Sequence, residues 1–524
     1  MPSKHVRVAA MGLVTMALAG WAPTGGFQAI SCERLAELRL PDTTITAAEP
    51  ITSGSFTVPG TSNTLSNLPP MCRVAGSIKP TSDSDIRFEV WLPLEKWNGK
   101  FAGVGNGGWA GLISYSGLAG QIRRGYAAAS TDTGHQGNGG DASFAFQHPE
   151  RLVDFAYRSE HETTVKGKAI VHGFYGKPPA LSYWVGCSSG GYQGLMSAQR
   201  FPSDYDAILA GAPANNWTRL MAGDFDGVLA VLKHPDTNLP PAATTLVNQA
   251  VMAACDARDG VADGVLDDPR TCTFDPGVLE CREGGTGATC LTRGQVAAVR
   301  RVYAGLKDPR TGAQLYPGLP RGSEPLWPHR NPKNPFPIPV SHYRWLVFGD
   351  PNWDWRSFEF ADPDDFAAHA RAEARLAPIL NATSPDLTEF RKRGGRMIQY
   401  HGWNDQLISA QNSVDYYESV LSFFGRGQNR DLALADVQRF YRLFMIPGLA
   451  HCSGGTGTGT FDLQTALEQW VEAGVAPDAP VATRTVRGVQ DRSRPLCPYP
   501  SVASYRGSGS TDDAANFSCR VPGR

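Results

Sequence analysis

The sequence predicts an α/β fold with a large inserted segment. The first observation is the stretch 186–190, which reads Gly-Cys-Ser-Ser-Gly between a strand-like run at 181–185 and a helix-like run at 191–200. A G-x-S-x-G pattern in this context forms the sharp turn that lifts a nucleophilic serine out of an α/β-hydrolase sheet. The second observation is the length of 524 residues, which is too long for one bare core of this kind. The predicted fold class is therefore an α/β-hydrolase core with a large inserted lid domain.

Ser188 is the predicted nucleophile of this turn. Its neighbours are small, as a strained turn with closely approaching backbones requires. A glycine-rich turn without chemistry is the alternative, because Gly and Ser are common. Two cysteines favour catalysis, since Cys187 precedes the serine and Cys452 follows His451. A bond between them would hold the serine beside a histidine, whereas two unrelated structural cysteines would leave His451 an ordinary loop residue.

The acid and the histidine of a catalytic triad should follow the serine in that chain order. Asp405 stands after a strand-like run at 396–400, and His451 stands in a glycine-rich loop after a second run at 439–446. Asp405 is predicted to fix the tautomer of His451 and to stabilise its protonated form. The alternative role for this aspartate is the formation of a turn.

These features resemble the tannase and feruloyl esterase family of secreted α/β-hydrolases. A Cys-Ser pair matched by a His-Cys pair is highly specific to that family. The resemblance implies a triad of Ser188, Asp405 and His451. The chain departs from many relatives at Ser189 and Tyr192, where Asn and Arg are frequent, and this bears on substrate matching. The matching segments are 105–111, 130–135, 186–191, 200–202, 211–214, 401–405 and 447–452.

The ten cysteines are expected to form disulfides. Their number is even, and the N-terminus reads as a secretory signal peptide over 1–22, with basic residues before an apolar run. The protein is therefore expected to be secreted or periplasmic, where disulfides persist. The sequence contains no C-x-x-C or H-E-x-x-H pattern, which argues against a zinc site. The resemblance implies five pairs: Cys32–Cys72, Cys187–Cys452, Cys255–Cys272, Cys281–Cys290 and Cys497–Cys519.

Charge and hydropathy limit the expected partners. The net charge of −1 gives no reason to expect nucleic acid or an anionic membrane as partner. No stretch after the N-terminal signal is long and apolar enough to span a bilayer. The expected partner, a small aromatic ester substrate, is implied by the family resemblance.

The chain is expected to divide into a core in two parts and one insertion. The core is assigned to 31–213 and 390–524, and the lid domain to 214–389. The insertion carries its own cysteines, many prolines and a run of aromatic residues between 327 and 355. Any single one of these aromatic residues is more readily part of a small core of the insertion itself, but as a group they predict an aromatic-lined cleft at the active site.

An acidic segment in the insertion predicts a calcium site. Carboxylates at Asp256, Asp259 and Asp263, with glycines between them, suit a hard cation with oxygen ligands. The family resemblance adds the backbone carbonyls of Val261 and Val265 and implies a structural role for the ion. The segment does not match an EF-hand. A solvated Asp-Gly turn is the alternative, and no organic cofactor is expected.

The oxyanion of an acyl-transfer reaction needs backbone donors already in place. One is expected from Ser189, the residue after the nucleophile. The other is expected from a glycine-rich turn at 105–108, with Gly107 as first choice and Gly108 as the alternative. An ordinary tight turn is the competing interpretation.

The resemblance implies esters of aromatic acids as substrates, either free or carried on plant polysaccharide. Hydroxycinnamate (feruloyl) esters are preferred over terephthalate monoesters, because no arginine can be assigned to a free carboxylate. Gallate esters, the substrates of tannases, are the other alternative. Ile408, three residues after the acid, is expected to line the acyl pocket. A secreted binding module without catalysis is disfavoured because all three triad candidates are present.

Overall fold

The computed structural model describes residues 29–282, 289–329, 331, 333–427 and 429–522. The expected signal peptide, 1–22, lies outside these residues. The strands are β1 Thr43–Ile51, β2 Ser55–Thr57, β3 Thr64–Ser66, β4 Met71–Ile78, β5 Ile86–Pro93, β6 Lys100–Val104, β7 Ala127–Thr131, β8 Leu181–Cys187, β9 Ala207–Gly211, β10 Leu306–Lys307, β11 Gln314–Tyr316, β12 Arg396–Gly402, β13 Tyr441–Ile446, β14 Val481–Val486, β15 Val489–Pro495, β16 Val502–Tyr505 and β17 Phe517–Arg520.

Helices connect most of these strands, together with short 3₁₀ and π turns. The α-helices are α1 Tyr115–Arg123, α2 Pro149–Val153, α3 Ser159–Tyr175, α4 Ser189–Arg200, α5 Trp217–Leu232, α6 Pro241–Cys255, α7 Arg293–Ala304, α8 Pro337–His342, α9 Pro363–Leu380, α10 Thr388–Lys392, α11 Ala410–Gly425, α12 Arg430–Val437 and α13 Leu463–Ala473. Among the helices of the described residues, none has the length and apolar character needed to cross a bilayer.

A nine-stranded sheet forms the centre of the protein, in the order β1-β4-β5-β7-β6-β8-β9-β12-β13. The six strands β7, β6, β8, β9, β12 and β13, in this spatial order, run parallel to one another. The strands β1, β4 and β5 form an antiparallel edge beside β7. The parallel strands are mostly apolar, as expected for strands covered on both faces. Every residue of β7 and of β9 is buried. This agrees with the α/β-hydrolase fold class.

The register of the parallel strands places their carboxyl ends at one edge of the sheet. Cys187 pairs with Gly211, and Gly402 pairs with Ile446. The loops that follow β6, β8, β9, β12 and β13 therefore leave the sheet side by side. This edge is where ligands bind in open parallel sheets.

Between β9 and β12 the chain forms α5 to α10 and the two-stranded sheet β10–β11. Much of this region packs around α5, which is buried along most of its length. Phe225 of α5 stacks on Tyr343, and Tyr343 meets Phe358 edge to face. These three rings are almost completely buried and form a core of their own.

Five disulfides connect all ten cysteines. The pairs are Cys32–Cys72, Cys187–Cys452, Cys255–Cys272, Cys281–Cys290 and Cys497–Cys519, the same pairs that the family resemblance implies. Four of them close loops of 9 to 40 residues, whereas Cys187–Cys452 spans 265 residues. That bond joins the two halves of the predicted core.

Candidate active site

Ser188 occupies the turn between β8 and α4 with a strained backbone. Its φ of 64° and ψ of −122° lie outside the regions that non-glycine residues ordinarily adopt. The Ser188 N–H donates to the carbonyl of Gly211 at 2.9 Å, and the Ala214 N–H donates to the carbonyl of Ser188 at 3.2 Å. These bonds hold the strained residue in place. Strain of this kind, fixed by its surroundings, is characteristic of functional positions.

Asp405 is completely buried in the loop after β12. Its Oδ1 accepts the N–H groups of Leu407 at 2.8 Å and Ile408 at 2.9 Å. Its Oδ2 accepts His451 Nδ1 at 2.8 Å and His401 Nε2 at 3.1 Å. Burial alone would raise the pKa of Asp405, but the charge of His451 and the hydrogen bonds from both imidazoles hold that pKa well below its usual range. The carboxylate is therefore ionised at neutral pH.

His451 lies in the loop after β13, where two hydrogen bonds fix it. Its Nδ1 bonds Asp405, and its main-chain N–H donates to Gln406 Oε1 at 3.1 Å. Burial lowers the pKa of His451, whereas the charge and hydrogen bond of Asp405 raise it, and the net shift is upward. Because Nδ1 carries the proton shared with Asp405, Nε2 is the nitrogen that can accept a proton from a nucleophile.

The disulfide Cys187–Cys452 ties the residue before Ser188 to the residue after His451, with the two Cα atoms 6.0 Å apart. The main chain turns sharply at the histidine end, where Cys452 has a φ of 61° and the Ser453 N–H donates to the His451 carbonyl at 2.7 Å. The structure therefore brings the three predicted triad residues together at one edge of the sheet.

The glycine-rich turn after β6 is fastened to the start of α4. The Gly190 N–H donates to the Asn106 carbonyl at 2.8 Å, and the Gln193 amide exchanges hydrogen bonds of 3.1 and 3.0 Å with the main chain and side chain of Asn106. The two backbones approach so closely that a Cβ on Gly105 would lie 2.4 Å from Gly190 Cα. Only glycine fits at this contact.

The predicted oxyanion donors lie in these two segments. Within the described residues, the main-chain N–H groups of Gly107, Gly108 and Ser189 donate to no protein acceptor. The Ser189 hydroxyl donates to the Gly108 carbonyl at 2.7 Å and so links the two segments again. The amides are thus available for a ligand, and their role as oxyanion donors stays a prediction.

Ile408 has only 3 % of its surface exposed. Its N–H holds Asp405 Oδ1, and its carbonyl accepts His401 Nε2 at 3.1 Å. The backbone of Ile408 therefore supports the acid. Contact of its side chain with an acyl group stays a prediction.

The acidic segment after α6 has carboxylates that already carry partners. Asp256 accepts the N–H groups of Gly264 and Val265, and Asp259 accepts that of Val261. Asp263 Oδ2 pairs with Arg494 at 2.6 Å and with Arg492 at 3.2 Å. Across the part of the chain that the structure describes, no group of three or more His, Cys, Asp or Glu side chains is arranged to hold a metal.

Three residues of the site have no counterpart among the sequence predictions. His401 bonds the acid, Gln406 bonds the main chain of the histidine, and Gln193 locks the glycine-rich turn. The available signal was position, since His401 precedes Asp405 by four residues at the end of β12 and Gln406 directly follows it. None of them belongs to a motif with a defined chemistry.

The fold and this arrangement of a strained serine, a buried acid and a histidine are those of an α/β-hydrolase enzyme. A family model described as tannase and feruloyl esterase matches residues 72–520, so the chain belongs to the tannase and feruloyl esterase family. It is a carboxylic ester hydrolase.

Several relatives are similar along nearly the whole chain. An uncharacterized esterase of Xanthomonas campestris pv. campestris is 38 % identical, covering 97 % of this chain and 94 % of the relative. A protein named "probable feruloyl esterase B-2" from Aspergillus terreus is 33 % identical, and the match covers 97 % of this chain and 98 % of the relative. The crystal structure of feruloyl esterase B from Aspergillus oryzae superimposes with a TM-score of 0.86 at 31 % identity, covering 93 % of this chain and 99 % of that one.

A tannin acyl hydrolase from Aspergillus niger shares the fold, with a TM-score of 0.78 at 23 % identity, covering 94 % of each chain.

Proposed function

We propose that this chain is an exported serine esterase that hydrolyses esters of aromatic acids, with hydroxycinnamate (feruloyl) esters as the first candidates. The names of the feruloyl esterase relatives support the substrate class. The observation that carries the proposal is the 2.8 Å bond between His451 Nδ1 and the buried Asp405, with His451 tied through the disulfide to the Ser188 turn. The complete triad argues against a non-catalytic binding module.

The reaction follows from the roles of these atoms. His451 Nε2 accepts the Ser188 hydroxyl proton as Oγ attacks the ester carbonyl, and Asp405 stabilises the resulting imidazolium. The N–H groups of Ser189 and Gly107 receive the oxyanion, each contributing about 3 kcal/mol to transition-state stabilisation. The imidazolium then returns its proton to the departing alcohol. A water molecule repeats the attack on the acyl-enzyme and releases the free acid and Ser188.

The test is release of ferulate from methyl ferulate by the purified protein, with Ser188→Ala as the matched variant. Turnover by the wild type that the variant loses would support a feruloyl esterase. If folded wild type leaves methyl ferulate intact, methyl gallate and mono(2-hydroxyethyl) terephthalate decide between the two alternatives. Ferulate release from arabinoxylan would extend the proposal to esters on plant polysaccharide. Equal turnover by both proteins would exclude Ser188 as nucleophile.

We further propose that the insertion 214–389 acts as a lid and that its acidic segment binds a structural Ca²⁺. The segment supplies oxygen ligands of the type that calcium prefers. Asp256 accepts the N–H groups of Gly264 and Val265, so the segment folds back on itself around its carboxylates. The carboxylates of Asp256, Asp259 and Asp263 and the carbonyls of Val261 and Val265 would hold the ion, without a role in the reaction.

Thermal unfolding in Ca²⁺ and in EDTA tests the calcium site. Binding to the folded state raises the melting temperature when Ca²⁺ is added. Asp259→Asn should abolish that increase, whereas Asp308→Asn should retain it, because Asp308 lies in an exposed turn of the same insertion. Equal melting temperatures in Ca²⁺ and EDTA for the wild type would exclude the site.

Export is supported by the five disulfides and is tested by sequencing the N-terminus of the protein recovered outside the cytoplasm.

A further inference from the structure

His401, the penultimate residue of β12, is a second imidazole on the catalytic acid. It is completely buried, and its Nε2 lies 3.1 Å from Asp405 Oδ2 and 3.1 Å from the Ile408 carbonyl. Both partners can only accept a hydrogen bond, since Asp405 is ionised. His401 Nε2 must therefore carry a proton and donate it. The same oxygen, Oδ2, also accepts His451 Nδ1, so two imidazoles share one carboxylate oxygen.

The other nitrogen of His401 is fixed by a chain of buried side chains. Its Nδ1 lies 2.7 Å from the Ser413 hydroxyl, which in turn lies 2.7 Å from Gln399 Nε2. The Gln399 carbonyl oxygen accepts the hydroxyl of Tyr441. Because the Gln399 amide can only donate to Ser413, the Ser413 hydroxyl proton points to His401 Nδ1. This places His401 in its neutral Nε2–H tautomer.

We propose that His401 is a positioning residue for the catalytic pair: its N–H competes with His451 for Asp405 Oδ2 and thereby sets how strongly the acid holds the protonated catalytic histidine. The proposal rests on the esterase function proposed above, because it assigns His451 as the base. His401 touches neither the substrate nor the reacting atoms, and it acts only through Asp405.

The direction of the effect follows from hydrogen bonding to a charged acceptor. A second donor on Oδ2 takes up part of the negative charge that would otherwise stabilise the imidazolium of His451. Without that donor, Asp405 raises the pKa of His451 further, so the base is neutral only at higher pH. Within the described part of the chain, Asp224 of α5 and Tyr316 of β11 also interact electrostatically with Asp405. Burial raises the pKa of each well above its ordinary value.

The test compares His401→Leu with His401→Gln. The leucine removes the donor at similar volume, so we expect kcat/KM measured on the acid limb to fall by about tenfold, the change that a rise of about one unit in the pKa of His451 produces. The acid limb of the pH profile should move to higher pH. The glutamine can place an amide N–H where Nε2 lies, so it should restore the acid limb and most of the rate.

Tyr417→Phe is the matched control. Tyr417 lies one helical turn after Ser413 on α11, is completely buried, and donates to the Tyr441 main-chain carbonyl at 3.2 Å. Its removal costs a buried hydrogen bond to the main chain of Tyr441 and leaves in place the side-chain hydrogen bonds that join Gln399, Ser413, His401 and Asp405. We expect an unchanged pH profile even if the melting temperature falls. An equal shift of the acid limb in this variant would overturn the proposal, as would an unshifted limb in folded His401→Leu.

Two further measurements keep the inference separate from the substrate class. Inactivation of Ser188 by a fluorophosphonate reports the basicity of His451 without any ester substrate, so it works even if aromatic esters are not hydrolysed. His401→Leu should move the acid limb of the inactivation rate to higher pH. An acid limb at the same pH as in the wild type would contradict the proposal. If the leucine variant does not fold, Ser413→Ala, which frees the His401 tautomer, should give a smaller shift of the same sign. No shift in folded Ser413→Ala would overturn the proposal.

Discussion

Cys187 and Cys452 are bonded directly beside Ser188 and His451, the proposed nucleophile and base. The backbone at Ser188 is strained, and the histidine lies in a loop rich in glycine. A covalent bond between their neighbours fixes the relative position of these two loops. The disulfide therefore serves the geometry of the site as well as the stability of the fold.

Removing this bond should affect stability and activity together. In Cys187→Ser/Cys452→Ser, the free energy of unfolding should fall by about 2–5 kcal/mol, because the bond closes a loop of 265 residues. Hydrolysis should fall even below the melting temperature. Cys281→Ser/Cys290→Ser opens a loop of only 9 residues and is the control. Denaturant unfolding and ester turnover measure the two effects, and full activity in the first variant would show that the bond is only structural.

Asp405→Asn should reduce kcat by about 10⁴-fold while leaving the fold intact. The amide keeps the shape of the carboxylate but removes the charge that stabilises the His451 imidazolium. Circular dichroism checks the fold, and steady-state kinetics check the rate. A loss of less than about tenfold would show that another group supplies the charge.

The activity should be limited on the acid side by His451. Because Asp405 shifts the pKa of His451 upward, the imidazole is protonated and unable to act as base over a wider range of acid pH than a free histidine. The midpoint of the acid limb of kcat/KM should therefore lie above about 6.5. In Asp405→Asn the residual activity should show a lower midpoint. A rate that stays flat across this range would exclude His451 as the base.

Gly105→Ala should disturb the oxyanion turn. The added Cβ would lie 2.4 Å from Gly190 Cα, so one of the two backbones must move. We expect a loss of stability of about 1–3 kcal/mol, as for overpacking in a core, together with a fall in kcat. Gly120→Ala in α1 is the control, since nothing lies within 4 Å of its added Cβ, and it should stabilise the helix by about 0.5–1 kcal/mol. Equal activity in the Gly105 variant and the wild type would show that the turn tolerates the shift.

The sequence predicted the residues that stand at the ends of parallel strands. Ser188, Asp405 and His451 each follow a strand-like run, and chain order together with the flanking cysteines was enough to select them. The antiparallel edge formed by β1, β4 and β5 carries no chemical motif and was placed only within the core range 31–213. The sequence therefore predicted individual residues only where a motif stands at the carboxyl-terminal edge of the parallel strands.

The support around the acid could not be predicted in the same way. His401 meets Ser413 because β12 packs beside α11, and Gln399 reaches Ser413 from the same strand face. Such contacts depend on how a helix is seated on a sheet, which the local pattern of apolar residues does not specify. A histidine inside an apolar strand is equally compatible with a satisfied core residue.

Asp263 connects the insertion to the C-terminal part of the chain. Its carboxylate forms ion pairs with Arg492 and Arg494 of β15. Its main-chain carbonyl also accepts hydrogen bonds from Arg492. A protein truncated before β15 would leave this carboxylate without cations, in a loop already crowded with acidic side chains. The strand β15 is thus an integral part of the folding unit. Because the Cys497–Cys519 bond closes the segment that follows it, shortened versions intended for crystallisation or secretion should end after Arg520 instead of before Val489.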